Sequence, residues 1–250
     1  MNEIDYRRFY GQVGAANGWD FSKVKCTVEG DRWSFYEEVA RRCKSTDVAL
    51  DIGTGGGENA MALAGSVLLL VGIDRSAAMI EAANGRLKRE DGRNVRFVQM
   101  DARRLSFPDR FFDVVSCRHS PFSASEAARV LAEGGLFMTQ QVGEGDKRNL
   151  KQAFGRGQAY GERDGALRDT CVAELREAGF ADIRCLEYDA DVYYDRYEDL
   201  LFVLKHTPIV PDFGRAEGDF DVLRRFIEKN ATAEGIRTNE RRFMIVARKA

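Results

Sequence analysis

The stretch Val48–Gly57, read VALDIGTGGG, most constrains what this chain can fold into. Three apolar residues run into Asp51, and glycine occupies positions 53, 55, 56 and 57. An apolar run that ends in glycines and precedes a helical pattern reads as a buried strand, a tight turn and a helix N-terminus. Glycine is needed where a backbone takes positive φ or passes close to another molecule. The helix start offers free N–H groups and partial positive charge to an anionic group. The arrangement points to a site for a nucleotide-like cofactor and leaves open which one.

The rest of the chain repeats the strand–helix pattern. Strands are predicted at 48–52, 67–73, 95–100, 111–117, 136–142, 181–188 and 243–247. The run at 67–73 is continuously apolar, which indicates burial on both faces, as in a parallel sheet. Helices are predicted at 31–43, capped by Asp31, and at Glu58–Ala64, stopped by Gly65. A third opens at Ser76 with Met79, Ile80, Ala83 and Leu87 on one face. Ser123-x-x-Glu126 reads as a capping box opening a helix to Leu131. Further helices are expected near 146–154, 167–178, Asp199–Lys205 and 219–230.

This alternation predicts an α/β, doubly wound, seven-stranded mixed sheet with helices on both faces. One domain is expected over 1–250, with an aromatic N-terminal cap over 1–45 and a helical insertion at 190–240 between strands six and seven. The insertion reads as a lid over the site or as a structural brace. The aromatic N-terminus (Tyr6, Phe9, Tyr10, Trp19, Phe21) reads as a pocket cover or a terminal arm. Ligands in such sheets bind beyond the carboxyl ends of the strands. There the chain sets Asp51, Asp74 and Asp101 after strands one, two and three, and Arg118-His119 after strand four.

Composition narrows the function classes. A chain of 250 residues, 44% hydrophobic, suits one large α/β domain. Net charge is −2 and the isoelectric point about 5.9, so no global basic field calls for nucleic acid. Five scattered cysteines without a CxxC pair, and only two histidines, give no metal site. The dispersed cysteines suggest a reducing cytoplasm. The first residues lack the apolar core of a signal peptide, and the longest apolar run, Val67–Val71, cannot span a bilayer.

The dinucleotide fingerprint G-x-G-x-x-G fails here, because Glu58 stands at its sixth place and would face a pyrophosphate. D-x-G-x-G-x-G is filled completely by Asp51, Gly53, Gly55 and Gly57. With GID at Gly72–Asp74, Asp101-Ala102, FPDRFFDVVSCRHS at 107–120 and RVLAEGGLFM at 129–138, the chain resembles class I S-adenosylmethionine-dependent methyltransferases. The likeness is to the small bacterial enzymes that include ubiquinone/menaquinone C-methyltransferases, and it covers roughly 35–188.

The resemblance implies a Rossmann-like fold, S-adenosylmethionine as cofactor and S-adenosylhomocysteine as product. It implies that Asp51 holds the amino end of the cofactor, directly or through water. Gly53, Thr54, Gly55 and Gly57 form the close-approach loop, with Arg75 beside it. Asp74 accepts from the ribose hydroxyls, Asp101 from the adenine amino group, and the Ala102 N–H faces the ring. Met79 is a candidate adenine contact or simple core. Arg118 is a candidate for the cofactor carboxylate, for an anionic acceptor, or for a solvated surface position. After strand four only His119-Ser-Pro-Phe-Ser precedes the next helix, shorter than in many relatives, so the acceptor side is remodelled.

Methyl transfer from a sulfonium is an in-line displacement, and the protein mainly has to align the acceptor and exclude water. A base is needed only where the acceptor must lose a proton, and contributes ~10²–10⁴ in rate. His119 is the candidate base, against a packed loop histidine. His206 lies in the insertion, and Gln140 or Gln141 could orient an acceptor. A small-molecule acceptor in an enclosed pocket is expected, with no membrane and no nucleic-acid partner. The alternatives are an RNA methyltransferase using the pairs Arg103-Arg104, Arg224-Arg225 and Arg241-Arg242, a non-catalytic cofactor binder, and an NAD(P) enzyme.

Overall fold

In the computed structural model, residues 21, 23–90 and 92–250 are described. The N-terminal aromatics before Phe21 lie outside them. Phe21 itself packs edge-on against Phe202, with ring centroids 5.8 Å apart.

Among the described residues the strands form one eight-stranded sheet: β1 (Cys26–Glu29), β2 (Val48–Ile52), β3 (Leu69–Asp74), β4 (Val95–Gln99), β5 (Phe112–Arg118), β6 (Leu131–Val142), β7 (Phe180–Tyr194) and β8 (Ile236–Lys249). The spatial order is β1-β7-β8-β6-β5-β2-β3-β4. Strands β2 to β6 pair in parallel, whereas β8 is antiparallel to both β6 and β7, and β1 is antiparallel to β7. The expected seven strands become eight because the four residues of β1 add an edge. They are largely exposed and carry no continuous apolar signal.

The helices are α1 (Phe35–Ala40), α2 (Ala77–Leu87), α3 (Ala124–Val130), α4 (Arg148–Phe154), α5 (Ala166–Glu177), α6 (Tyr197–His206) and α7 (Asp219–Asn230). Two buried clusters flank the sheet. One joins α3 and α5 to Ile52, Val115 and Phe137, and the other joins α1 and α2 to Ala49, Leu70 and Met138. The helix expected after the glycines is a 3-10 helix, Ala60–Ser66, which runs through Gly65. Its buried Ala60 and Leu63 are three apart, the spacing that a three-residue turn stacks on one side.

Two caps behave differently. The Ser76 hydroxyl accepts from Met79 N at 3.4 Å and opens α2. The Ser123 hydroxyl accepts from Glu126 N at 3.3 Å, which is half of the expected capping box. The other half is redirected: Glu126 accepts from Leu105 N at 2.6 Å and from Arg129, whose guanidinium also binds the carbonyls of Leu105 and Phe107. The pair therefore pins the 105–109 loop to α3.

The predicted lid also changes. Strands β7 and β8 extend well into 190–240 and pair as far as Tyr194 and Ile236. Their register with β6 stops at Val142–Arg242, so the β7–β8 arm projects past the carboxyl end of β6. Helices α4, α6 and α7 cover that arm around Leu150, Leu200, Leu204, Leu223 and Phe226, a third buried cluster. The helical part of the insertion is thus 195–235. The strand portions escaped prediction because 188–194 mixes tyrosines with aspartates, having one face against α6 and the other toward solvent.

Candidate functional site

The glycine loop is shaped by positive φ at three alternate residues, +73° at Gly53, +57° at Gly55 and +78° at Gly57. The Ile73 carbonyl accepts from both Gly53 N and Thr54 N at 2.9 Å, which docks the loop on the end of β3. The Asp74 carboxylate then accepts from Gly55 N at 3.1 Å and Ser76 N at 2.8 Å. One side chain therefore ties the loop to the start of α2. Burial raises the Asp74 pKa, while those N–H groups and Arg75 pull it down.

Close packing leaves no space for side chains along this path. A Cβ at Gly57 would sit 2.7 Å from the Phe97 ring, and one at Gly72 2.6 Å from it. A Cβ at Gly53 would sit 2.3 Å from Cβ and Oγ of Ser120. The buried Thr54 hydroxyl makes no well-formed hydrogen bond among the described residues, although it lies close enough to Asp51 to lower that carboxyl's pKa. A buried unpaired hydroxyl is costly unless a ligand or water meets it. The backbone cradle, the orphaned hydroxyl and the flanking carboxylates all fit a polar, phosphate-free nucleoside cofactor.

Asp51 is fully buried in β2. Its cross-strand partner is Ser116 of β5, whose hydroxyl donates to Asp51 Oδ1 at 2.6 Å. The Tyr36 hydroxyl from α1 lies 3.3 and 3.4 Å from the two carboxylate oxygens. Burial lifts the Asp51 pKa to about 6, against the hydroxyls of Ser116, Thr54 and Tyr36 and the Arg118 charge. Burial and the neighbouring Asp51 charge push the Tyr36 phenol well above its ordinary value. Sequence reasoning missed both partners. A lone serine inside the apolar run VVSC was the available signal for Ser116.

The other predicted residues divide. Arg118 is half-buried and its charge acts on Asp51 and Tyr36. Asp101 lies in the open at the end of β4, paired with Arg103 at 2.7 Å, which holds its carboxyl down at about 2. Ala102 packs on the edge of the α3–α5 cluster. Arg75 is half-buried and its carbonyl accepts from Gln99 Nε2 at 3.1 Å. Met79 is 1% exposed, so its side chain is core and does not line an open surface.

His119 sits at the end of β5 with φ of +52° and reaches solvent. Shielding of the imidazole from water, greatest where it meets Gln140, and the charges of Arg118 and Arg242 lower its pKa below the ordinary imidazole value. His206 is far from this chemistry in role: its ring stacks on Phe202 with centroids 4.0 Å apart, and Nδ1 meets the Phe202 carbonyl at 2.8 Å. Gln141 is buried and its amide donates to Ser120 O at 2.9 Å and Thr139 Oγ1 at 2.8 Å.

The pair Arg241-Arg242, named above as a basic pair for RNA, is engaged in ion pairs. Arg242 is 8% exposed and pairs with Asp146 at 2.5 Å and Glu240 at 3.0 Å. Arg241 pairs with Asp164 at 3.2 Å and with Glu187. Replacing Arg242 by Met should leave Asp146 buried without its cation, at a cost of about 3–5 kcal/mol. Urea unfolding checks this, and a loss under about 1 kcal/mol would contradict it. A separate cavity of about 140 Å³, lined by Val142, Glu144, Asp146, Lys151, Gln158 and Ile209, lies beyond the end of β6 and includes no residue of the glycine loop. Among the described residues no cluster of histidine, cysteine and carboxylates could hold a metal, and no helix is long and apolar enough to cross a membrane.

Comparison with known proteins gives a partial family match and the fold. Residues 49–135 match the methyltransferase-domain family. The chain is 36% identical over 121 residues to an uncharacterized methyltransferase, YcgJ, of Bacillus subtilis (strain 168), an alignment covering 46% of this chain and 47% of that protein. The matched sequence thus spans about half the length of this relative. The crystal structure of B. subtilis YcgJ superposes with a TM-score of 0.60 at 21% identity, covering 86% of this chain and 97% of that one. A phosphoethanolamine N-methyltransferase of Haemonchus contortus, solved with phosphomonomethylethanolamine and S-adenosylhomocysteine, superposes with a TM-score of 0.55 at 20% identity, covering 88% of this chain and 54% of that one. At those identities the superpositions establish the fold alone. The match to the methyltransferase-domain family therefore falls on the segment that holds the glycine loop and the parallel strands around it, and the fold of the chain is one that methyltransferases share.

Proposed function

We propose that the chain transfers a methyl group from S-adenosylmethionine to a small-molecule acceptor. The observation that carries this reading is the glycine loop itself. It is held by Asp74 and walled by Phe97 and Ser120, with the unpaired Thr54 hydroxyl inside. The loop leads into a short 3-10 helix beginning only at Ala60, so a pyrophosphate would lack the α-helical N-terminus it normally uses. That favours a cofactor without phosphates over a dinucleotide.

Bound S-adenosylmethionine supplies an electrophilic methyl group on a positively charged sulfur. The remaining work falls to this chain. Asp51 would hold the amino end, Asp74 the ribose hydroxyls, and Asp101 the adenine amino group once Arg103 releases it. Arg118 is the cation within reach of a carboxylate. The β7–β8 arm and its helices overhang the carboxyl end of β6 and would exclude water from the acceptor side, as enclosed small-molecule sites require. An RNA acceptor is disfavoured because Arg103, Arg224, Arg241 and Arg242 each pair with a carboxylate.

Titrating the full chain with S-adenosylmethionine and, separately, with NADH tests the cofactor. Saturable binding of the first alone is expected, and binding of NADH alone overturns the reading. The acidity of Asp51 adds a pH signature. Its folded pKa is raised to about 6, so its contribution to stability is present below its ordinary 3.8 and is lost as pH rises through about 6. A cationic amino group needs the ionised form. Affinity should therefore fall by up to about tenfold per pH unit below about pH 6. Calorimetry from about pH 5 to about pH 8 reads this, and a flat profile would detach Asp51 from the ligand.

A further inference from the structure

One residue grips His119 at two points. The Gln140 carbonyl accepts from His119 N at 2.8 Å, which helps to hold the histidine at positive φ. The buried Gln140 side chain turns its Nε2 to His119 Nε2 at 3.0 Å. Its other end, Oε1, accepts from Trp33 Nε1 at 2.7 Å. Trp33 is itself fixed edge-on against Tyr188, centroids 4.6 Å apart, whose hydroxyl donates to Glu240 at 2.7 Å.

The donor inventory sets every proton in this chain of contacts. An indole N–H can only donate, so the amide oxygen of Gln140 must face Trp33. The amide NH₂ therefore faces the imidazole, and its nearest ring nitrogen must accept. His119 Nε2 carries a lone pair, and the ring proton is on Nδ1. Nδ1 meets no acceptor among the described residues, and the side chain reaches solvent. The next residue, Ser120, packs directly against Gly53, so the backbone of His119 is one residue from the cofactor loop.

We propose that Trp33 and Gln140 are positioning residues that lock His119 in the Nδ1–H tautomer, making it a hydrogen-bond donor to the methyl acceptor rather than a general base. The words "methyl acceptor" rest on the function proposed above, whereas the tautomer does not. The only basic lone pair of the ring is already spent on Gln140, so His119 cannot take a proton without breaking that contact. The small molecule it recognises must offer an acceptor lone pair, as a carbonyl, carboxylate, phenolate or imine-type nitrogen does. Its nucleophilic atom must reach the site without a proton to give to His119.

The chain has two histidines, so the imidazole ¹⁵N spectrum of uniformly labelled full-length protein is readable directly. His206→Asn assigns the two patterns. Near pH 7 to 8, His119 is expected to show a protonated Nδ1 and an unprotonated Nε2. Trp33→Phe frees the amide to turn, and the pattern should move toward Nε2–H while His206 stays unchanged. Gln140→Glu offers an acceptor to the ring and should invert the tautomer outright, which keeps the test open if the tryptophan variant does not fold. An Nε2–H pattern in the wild type, or no change in Gln140→Glu, overturns the proposal. S-adenosylmethionine titration of the same samples separates the two readings: normal binding with the wrong tautomer sinks only this inference, and the right tautomer without binding sinks only the proposed function.

Discussion

Asp74→Ala is expected to weaken S-adenosylmethionine binding by about 10² or more while the protein stays folded. The substitution removes two things at once. It deletes the acceptor for Gly55 N and Ser76 N, which fixes the loop relative to α2. It also deletes the carboxylate proposed to accept from the ribose hydroxyls, and hydrogen bonds to a charged acceptor contribute about 1.5–3 kcal/mol each. Two such bonds are enough for the stated loss, before any loosening of the loop is counted. The fold should survive because Asp74 is only partly buried at a strand end and the core on either face of β3 is untouched. Asp74→Asn keeps one acceptor oxygen and should fall between the two. Calorimetric titration measures all three proteins, and equal affinities would remove the ribose assignment.

Gly53→Ala should be the most damaging single-methyl change in the loop. Its φ of +73° lies where an L-residue costs roughly 1–2 kcal/mol. The new methyl would also meet Ser120 Cβ at 2.3 Å, and overpacking of this kind costs roughly 1–3 kcal/mol. A combined loss of roughly 2–5 kcal/mol follows from these two costs. Ser120→Gly removes the obstructing atoms and should recover the overpacking part but not the backbone part. The double-mutant cycle in denaturant therefore separates the two costs. A coupling energy near zero would show that Ser120 does not wall the loop.

Much of this arrangement was legible in the sequence because its signals are local. The glycines, the aspartates at the ends of β2 and β3, and the Ser76 cap each act within a few residues of themselves, and each lies where the pattern puts it. The partners of Asp51 were not legible. Ser116 lies sixty-five residues away and becomes a neighbour only through the β2–β5 register. Tyr36 comes from a helix whose docking is decided by the α1–α2 face cluster. The same holds for Glu126. Its spacing from Ser123 is that of a capping box, but Arg129 and Leu105 N compete for the carboxylate and win. The pairing of Arg242 was not legible because its partner Asp146 lies ninety-six residues away in the sequence. The Trp33–Gln140–His119 contacts join three distant segments and could not be read from any window of the chain.

The β7–β8 arm has a mechanical consequence. Covers that swing on a loop hinge move as flaps, opening by rotation about a few residues. This overhang has no such hinge, because the two strands that carry it are the same strands that pair with β6 and with each other farther back. It is a cantilever rooted in the central sheet. Bending it would strain a continuous backbone ladder, so access for the proposed acceptor must come from yielding at its tip, where 207–218 links α6 to α7 and 231–235 links α7 to β8. Amide exchange along 189–194 should accordingly be as slow as in β6, with the fast-exchanging backbone confined to those connecting segments.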